Sequence, residues 1–249
     1  MTTIRLLTAC ALAAAACSAP AHAQEVPTGD LTLSGTAALV SDYRFRGVSL
    51  SNGDPAVQGG LTVNHASGLY AGTWASSIAD TYGYAGNTGS MELDLFAGYT
   101  REVAPGFTAD VGLLYYAYPG GHLGKAEFFE PYASLSTTYG PAKVKLGVNY
   151  AWRQAAINDD DNLYVYSNLD VAVPGTPVTV SGHVGYTDGP LAPSYYLTAN
   201  KTHGWDYSAG ASVTVLGKLT LGVSYVGVEG PVVNRLTDDQ VVGTLTVSF

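Results

Sequence analysis

The chain has 249 residues, 12 % charged and 47 % hydrophobic, with a formal net charge of −9 and a mean hydropathy of +0.12. Soluble domains ordinarily carry about a quarter charged residues, so this chain either hides an unusually large apolar surface or shows it to lipid. No apolar run beyond the N-terminus reaches the ~18 residues a membrane helix needs, and abundant Tyr, Val and Leu exclude disorder, which leaves an all-β protein.

Arg5 precedes an apolar stretch over 6–16, followed by small residues and Ala21-His22-Ala23. A positive region, an apolar region and an A-x-A site in that order predict a cleaved signal peptide, 1–23, and a mature domain, 24–249. Lipoprotein cleavage before Cys17 is the alternative, disfavoured by Ala14 where a large aliphatic residue is wanted. Cys10 and Cys17 both leave with the leader, so no disulfide or thiolate metal site is expected in the mature chain. The mature chain sets ten basic against twenty acidic residues, a formal charge of −10, which argues against a nucleic-acid partner.

Period-2 alternation then repeats along the chain. Leu31, Leu33, Gly35, Ala37, Leu39, Ser41, Tyr43 and Phe45 alternate with Thr32, Ser34, Thr36, Ala38, Val40, Asp42, Arg44 and Arg46. Comparable strands are predicted over 57–63, 91–100, 107–116, 128–139, 143–152, 163–171, 178–186, 205–213, 219–225 and 240–249. The segment 69–78 also alternates, but Tyr70 and Trp74 oppose Leu69 and Ala71, so its facing stays open. The total is twelve strands. Short turns at 65–68, 103–106, 140–142, 174–177 and 216–218 alternate with longer loops at 48–55, 79–90, 119–127, 154–162, 187–203 and 228–239. An even strand count with sorted connections predicts a transmembrane antiparallel up-and-down β-barrel in a bacterial outer membrane. Aromatic residues mark two predicted girdles. Phe45, Tyr115, Phe129, Trp152, Tyr186, Trp205 and Tyr225 lie toward the long loops, and Tyr99, Phe107, Tyr139 and Phe249 toward the short turns.

Phe249 closes the chain in register with the apolar face, an ending that resembles the signal read by the outer-membrane barrel-assembly machinery. The stretch 41–60, SDYRFRGVSLSNGDPAVQGG, with 68–76, GLYAGTWAS, and 92–99, ELDLFAGY, resembles the opening of the TorF family of bacterial porins. That resemblance implies an outer-membrane barrel, with no substrate and no catalytic residue to carry over.

With odd positions toward lipid in most strands, and even ones in the strand over 143–152, the charged residues of the opposite face line the lumen: Asp42, Arg44, Arg46, Glu92, Asp94, Glu130 and Asp206 toward the long loops, and Asp110, Lys143, Lys145 and Asp170 toward the short turns or centre. The expected function is a channel for passive diffusion of small hydrophilic solutes, with at most a weak cation preference. The bland alternative is an Arg–carboxylate network that plugs the barrel. Two further readings are an adhesin or receptor acting through the external loops, and an outer-membrane lipid hydrolase using Ser181 and His183, although no G-x-S-x-G motif occurs. Expected partners are outer-membrane lipid and lipopolysaccharide. The acidic run 158–162 lacks the spacing of a calcium loop and reads as a solvated loop, and no cofactor site is recognised.

Overall fold

The computed structural model describes residues 26–79, 89–121, 126–196 and 202–249. Twelve long strands follow one another: β1 (Leu31–Val40), β2 (Ala56–His65), β3 (Leu69–Ser77), β4 (Met91–Ala104), β5 (Phe107–Ala117), β6 (Phe128–Tyr139), β7 (Ala142–Gln154), β8 (Asp160–Ala172), β9 (Val178–Asp188), β10 (His203–Val215), β11 (Leu219–Val228) and β12 (Gln240–Ser248). Each pairs antiparallel with its chain neighbours, and β12 pairs back with β1, from Thr244 opposite Val40 to Ser248 opposite Thr36. The sheet is therefore a closed barrel, and closure removes the exposed edges an open sheet would present. At the seam Phe249 and Gly35 exchange both backbone hydrogen bonds. Below it Val26–Thr28 folds back on Leu31–Leu33 and covers the edge that β12 is too short to reach.

The alternation read from the sequence sets the two faces. Leu31, Leu61, Leu95, Val111, Leu146, Val165, Val180, Val223 and Leu245 all project outward and are exposed. An apolar band that large has no counterpart on a soluble monomer. In β3, Leu69 and Ala71 point out, whereas Tyr70 and Trp74 reach inward to Asp110 and the Tyr43 ring. This decides the facing that the sequence left open. Outward rings near the long loops touch from strand to strand: Tyr115 lies 4.5 Å from Phe129, Phe129 6.0 Å from Trp152, and Tyr186 4.9 Å from Trp205, centroid to centroid. Connections at 66–68, 105–106, 140–141, 173–177 and 216–218 gather at one end, and the longer set at the other. The connection 155–159 is the exception in length, no longer than 173–177.

The strand read from Leu31 through Arg46 is corrected. It ends at Val40, and residues from Asp42 to Ser49 are buried on both faces, so Tyr43 and Phe45 are not outward residues and Phe45 is no part of a girdle. Ser41 exchanges bonds with Gly243, and the chain then turns into the barrel.

Candidate functional site in the barrel interior

Arg44–Phe45 pairs with Val48–Ser49 in a short hairpin whose turn is Arg46-Gly47. Both turn residues have positive φ, 49° and 80°, the signature of the two-residue turn that suits twisted strands. A Cβ on Gly47 would lie 2.2 Å from Val228 Cγ1 and 3.2 Å from Asp206 Cβ, so the tip abuts the wall at β10 and β11. On other strands the hairpin meets Trp74 through Tyr43 (5.4 Å), and Tyr116 through Phe45 (5.9 Å). It thus spans the lumen at the long-loop end.

Charge fastens it there. Arg46 Nη2 donates to both oxygens of Glu130 at 2.7 and 2.8 Å, and its guanidinium lies 4.2 Å from the Tyr164 ring centroid and 4.8 Å from that of Phe45. Burial works against the Arg46 charge, but Glu130 more than offsets it and holds the guanidinium above its ordinary pKa. Arg44 Nε donates to Asp42 at 2.6 Å, and its Nη1 to the carbonyl oxygens of Gly47 and Asp238. Asp42 also accepts from Ser49 and Ser51. Tyr43 donates to Glu92 Oε1, and burial followed by the nearby Glu92 and Asp94 pushes its phenol well above the usual range, so it stays a donor. From above, Leu236 O accepts from Ser49 N, and Arg235 binds Asn52 O and Asp54.

On the wall around the hairpin, Glu92, Asp94, Glu130 and Asp206 are buried. Glu130 further accepts from Tyr116 and Asn149, and Asp206 from Tyr164, with His183 Nε2 2.8 Å away. Glu92 Oε2, Asp94 Oδ1, Asp206 Oδ2 and Arg46 Nη1 meet no hydrogen-bond partner among the described residues. Buried groups of that kind ordinarily hold water, so this half is crowded but polar.

Toward the short turns the character changes. Asp110, Lys143, Lys145 and Asp170 are only partly buried, among partly exposed Ser, Thr and Asn residues. Lys143 stands opposite Asp170, Ser181 donates to Asp170 at 2.6 Å, and Tyr70 donates to Asp110 at 2.6 Å. The interior side chains are therefore buried at one end and partly exposed at the other.

Of the eleven predicted lining residues, Glu92, Asp94, Asp110, Glu130, Lys143, Lys145, Asp170 and Asp206 stand on inward positions of the wall, whereas Asp42, Arg44 and Arg46 belong to the hairpin that crosses it. Sequence reasoning put Tyr43 on the outward face because it continues the alternation, and missed Asp238, which lies in a loop without periodicity. It also missed Tyr164 and Asn149, whose places on the polar face of alternating strands were a usable signal. Ser181 and His183 do not form a nucleophile–base couple. Ser181 turns to Asp170, while the His183 ring nitrogens face Asn168, Tyr164 and Asp206. In the acidic run, Asn158 and Asp159 form the turn and Asp160 and Asp161 enter β8. No group of three or more His, Cys, Asp or Glu among the described residues is placed to hold a metal ion.

A closed twelve-stranded antiparallel barrel with an apolar exterior and a polar interior is the fold of porins and outer-membrane channels. The NanC porin superposes with a TM-score of 0.57 at 13 % identity, covering 87 % of this chain and 98 % of its own. The KdgM porin, solved in complex with disordered oligogalacturonate, gives 0.56 at 10 % identity, covering 87 % and 97 %. An outer membrane channel from Pseudomonas putida F1 gives 0.51 at 12 % identity, covering 93 % and 98 %. The chain itself belongs to the Gcw_chp family, bacterial proteins of unknown function, whose model matches residues 24–249. That is the family established for it; the match does not confirm the TorF name suggested by its opening motif. A search of curated proteins found no match.

Proposed function

We propose that this protein is a non-enzymatic outer-membrane channel for passive diffusion of small hydrophilic solutes, narrowed at its external end by the 41–55 hairpin loop. One observation carries the reading: a continuous apolar exterior encloses an interior lined by charged and hydroxyl side chains, half of it partly exposed. An exterior of that kind is at home in lipid, and an interior of that kind in water. The porin fold and the TorF-like opening support it. In this reading the leader 1–23 directs export from the cytoplasm of a Gram-negative bacterium. The long loops face outside, near lipopolysaccharide, and the strand ending in Phe249 presents the assembly signal.

Liposomes carrying the folded mature barrel test it by swelling in isosmotic solutes of increasing size. The reading expects swelling with the smallest sugars and a sharp loss as size grows. No swelling with any solute contradicts it. One finding favours a second reading, a closed barrel acting through its external loops: the buried Arg46–Glu130 and Arg44–Asp42 pairs hold the hairpin firmly across the lumen. Surface binding that disappears on loop deletion, with no solute passage, would establish that reading instead.

A further inference from the structure

We propose that Tyr70 and Tyr132 form a stacking platform for a neutral saccharide ring on the wall of the short-turn half of the lumen. The idea rests on the channel reading only for how the solute reaches the site. Register places Tyr70 opposite Gly98, Gly98 opposite Gly112, and Gly112 opposite Tyr132, so four adjacent strands carry the row Tyr–Gly–Gly–Tyr. A Cβ on Gly98 would lie 2.4 Å from the Tyr70 hydroxyl oxygen and 2.5 Å from its Cζ; on Gly112, the same distances separate it from Tyr132. Each ring therefore leans along the wall over its glycine instead of standing into the lumen. The two hydroxyls meet above the glycine pair, and Tyr70 donates to Asp110.

Phe96 over Gly72 and Tyr166 over Gly147 repeat the arrangement. Glycine opposite an inward aromatic ring is thus a device this barrel uses several times. Its consequence at Tyr70 and Tyr132 is that both rings lie along the wall and stay partly exposed, Tyr70 with the Phe96 ring 6.3 Å away and Tyr132 packed against the cluster that includes Phe45, Leu114 and Tyr116.

The surroundings specify the ligand's chemistry. The next inward row toward the short turns is Thr100, Asp110 and Ser134, followed by Thr108 and Ser136. A pyranose has an apolar C–H face and a rim of hydroxyls. The electron-rich ring faces suit the first, and the carboxylate and hydroxyls the second. An anionic solute stacked on the rings would meet Asp110, bonded to Tyr70, before Lys145, which lies two rows on opposite Ser136, so a neutral sugar is the better fit.

The test uses the full mature barrel folded in detergent, with cellobiose as the probe and glycerol as a polyol without a flat face. Calorimetry is expected to show saturable cellobiose binding and none for glycerol. Saturation-transfer NMR should carry magnetisation from protein aromatic protons to the sugar-ring C–H protons. Tyr70→Phe/Tyr132→Phe keeps the faces and should keep most of the affinity, whereas Tyr70→Leu/Tyr132→Leu should weaken it about tenfold or more. No saturable binding, binding without aromatic transfer, or unchanged binding in the leucine variant each overturns the proposal. Should the leucine variant fail to fold, the transfer experiment on the unmodified protein still decides. A barrel that binds cellobiose but passes no solute contradicts the channel reading alone; one that passes solutes without binding cellobiose contradicts this proposal alone.

Discussion

Arg46 shows how much a single buried charge can hold in place. Its guanidinium bonds to Glu130, with both side chains nearly inaccessible to water, and its neighbour Gly47 fits because it lacks the β-carbon that would strike Val228. Removing one partner of a buried ion pair strands the other, at a cost of about 3–5 kcal/mol. Glu130→Ala is therefore expected to lower the urea stability of the reconstituted barrel by that order. Gly47→Ala, at φ +80°, is expected to cost more than about 1 kcal/mol in the same assay. Residues of this kind were half legible in the sequence. The acidic and basic side chains at even positions announced an interior, because charge facing lipid is expensive. Which acid meets which base was not legible, since Arg46 and Glu130 lie 84 positions apart and meet only through the fold.

At the scale of elements, the strands were readable and the hairpin was not, for one physical reason. A strand with lipid on one side and water on the other writes its environment into every second residue. Tyr43 and Phe45 continue that rhythm past Val40, yet both their faces end up buried, and alternation cannot distinguish a wall from a plug. The turn-forming Gly47 and the Asn52-Gly53 pair, with positive φ at all three, were the signals that the strand had ended. The hairpin is attached through side chains and a few backbone bonds, while the barrel closes through β1 and β12 without it. Replacing residues 42–51 with a short Gly/Ser linker is thus expected to leave a folded, heat-modifiable barrel on gel electrophoresis. It should also raise solute permeability severalfold, measured by liposome swelling.

At the scale of the whole molecule, the proposed channel would separate lipid from water, and substitutions should report which one each residue faces. Leu146→Arg, outward on β7, is expected to destabilise the barrel in lipid by about 2–4 kcal/mol if it sits near the midplane. Ser134→Arg, inward and partly exposed, should change stability far less in the same unfolding experiment. Around the hairpin, Asp42, Glu130 and Asp206 outnumber Arg44 and Arg46, so any selectivity should favour cations. The measurement that bears most directly on the central claim is single-channel recording of the folded mature protein in planar bilayers, compared with the variant lacking residues 42–51. The account predicts discrete steps of small conductance, a reversal potential of cation-selective sign in a salt gradient, and larger steps once the hairpin is gone. Absence of steps from both proteins, in bilayers where insertion is verified, would contradict it.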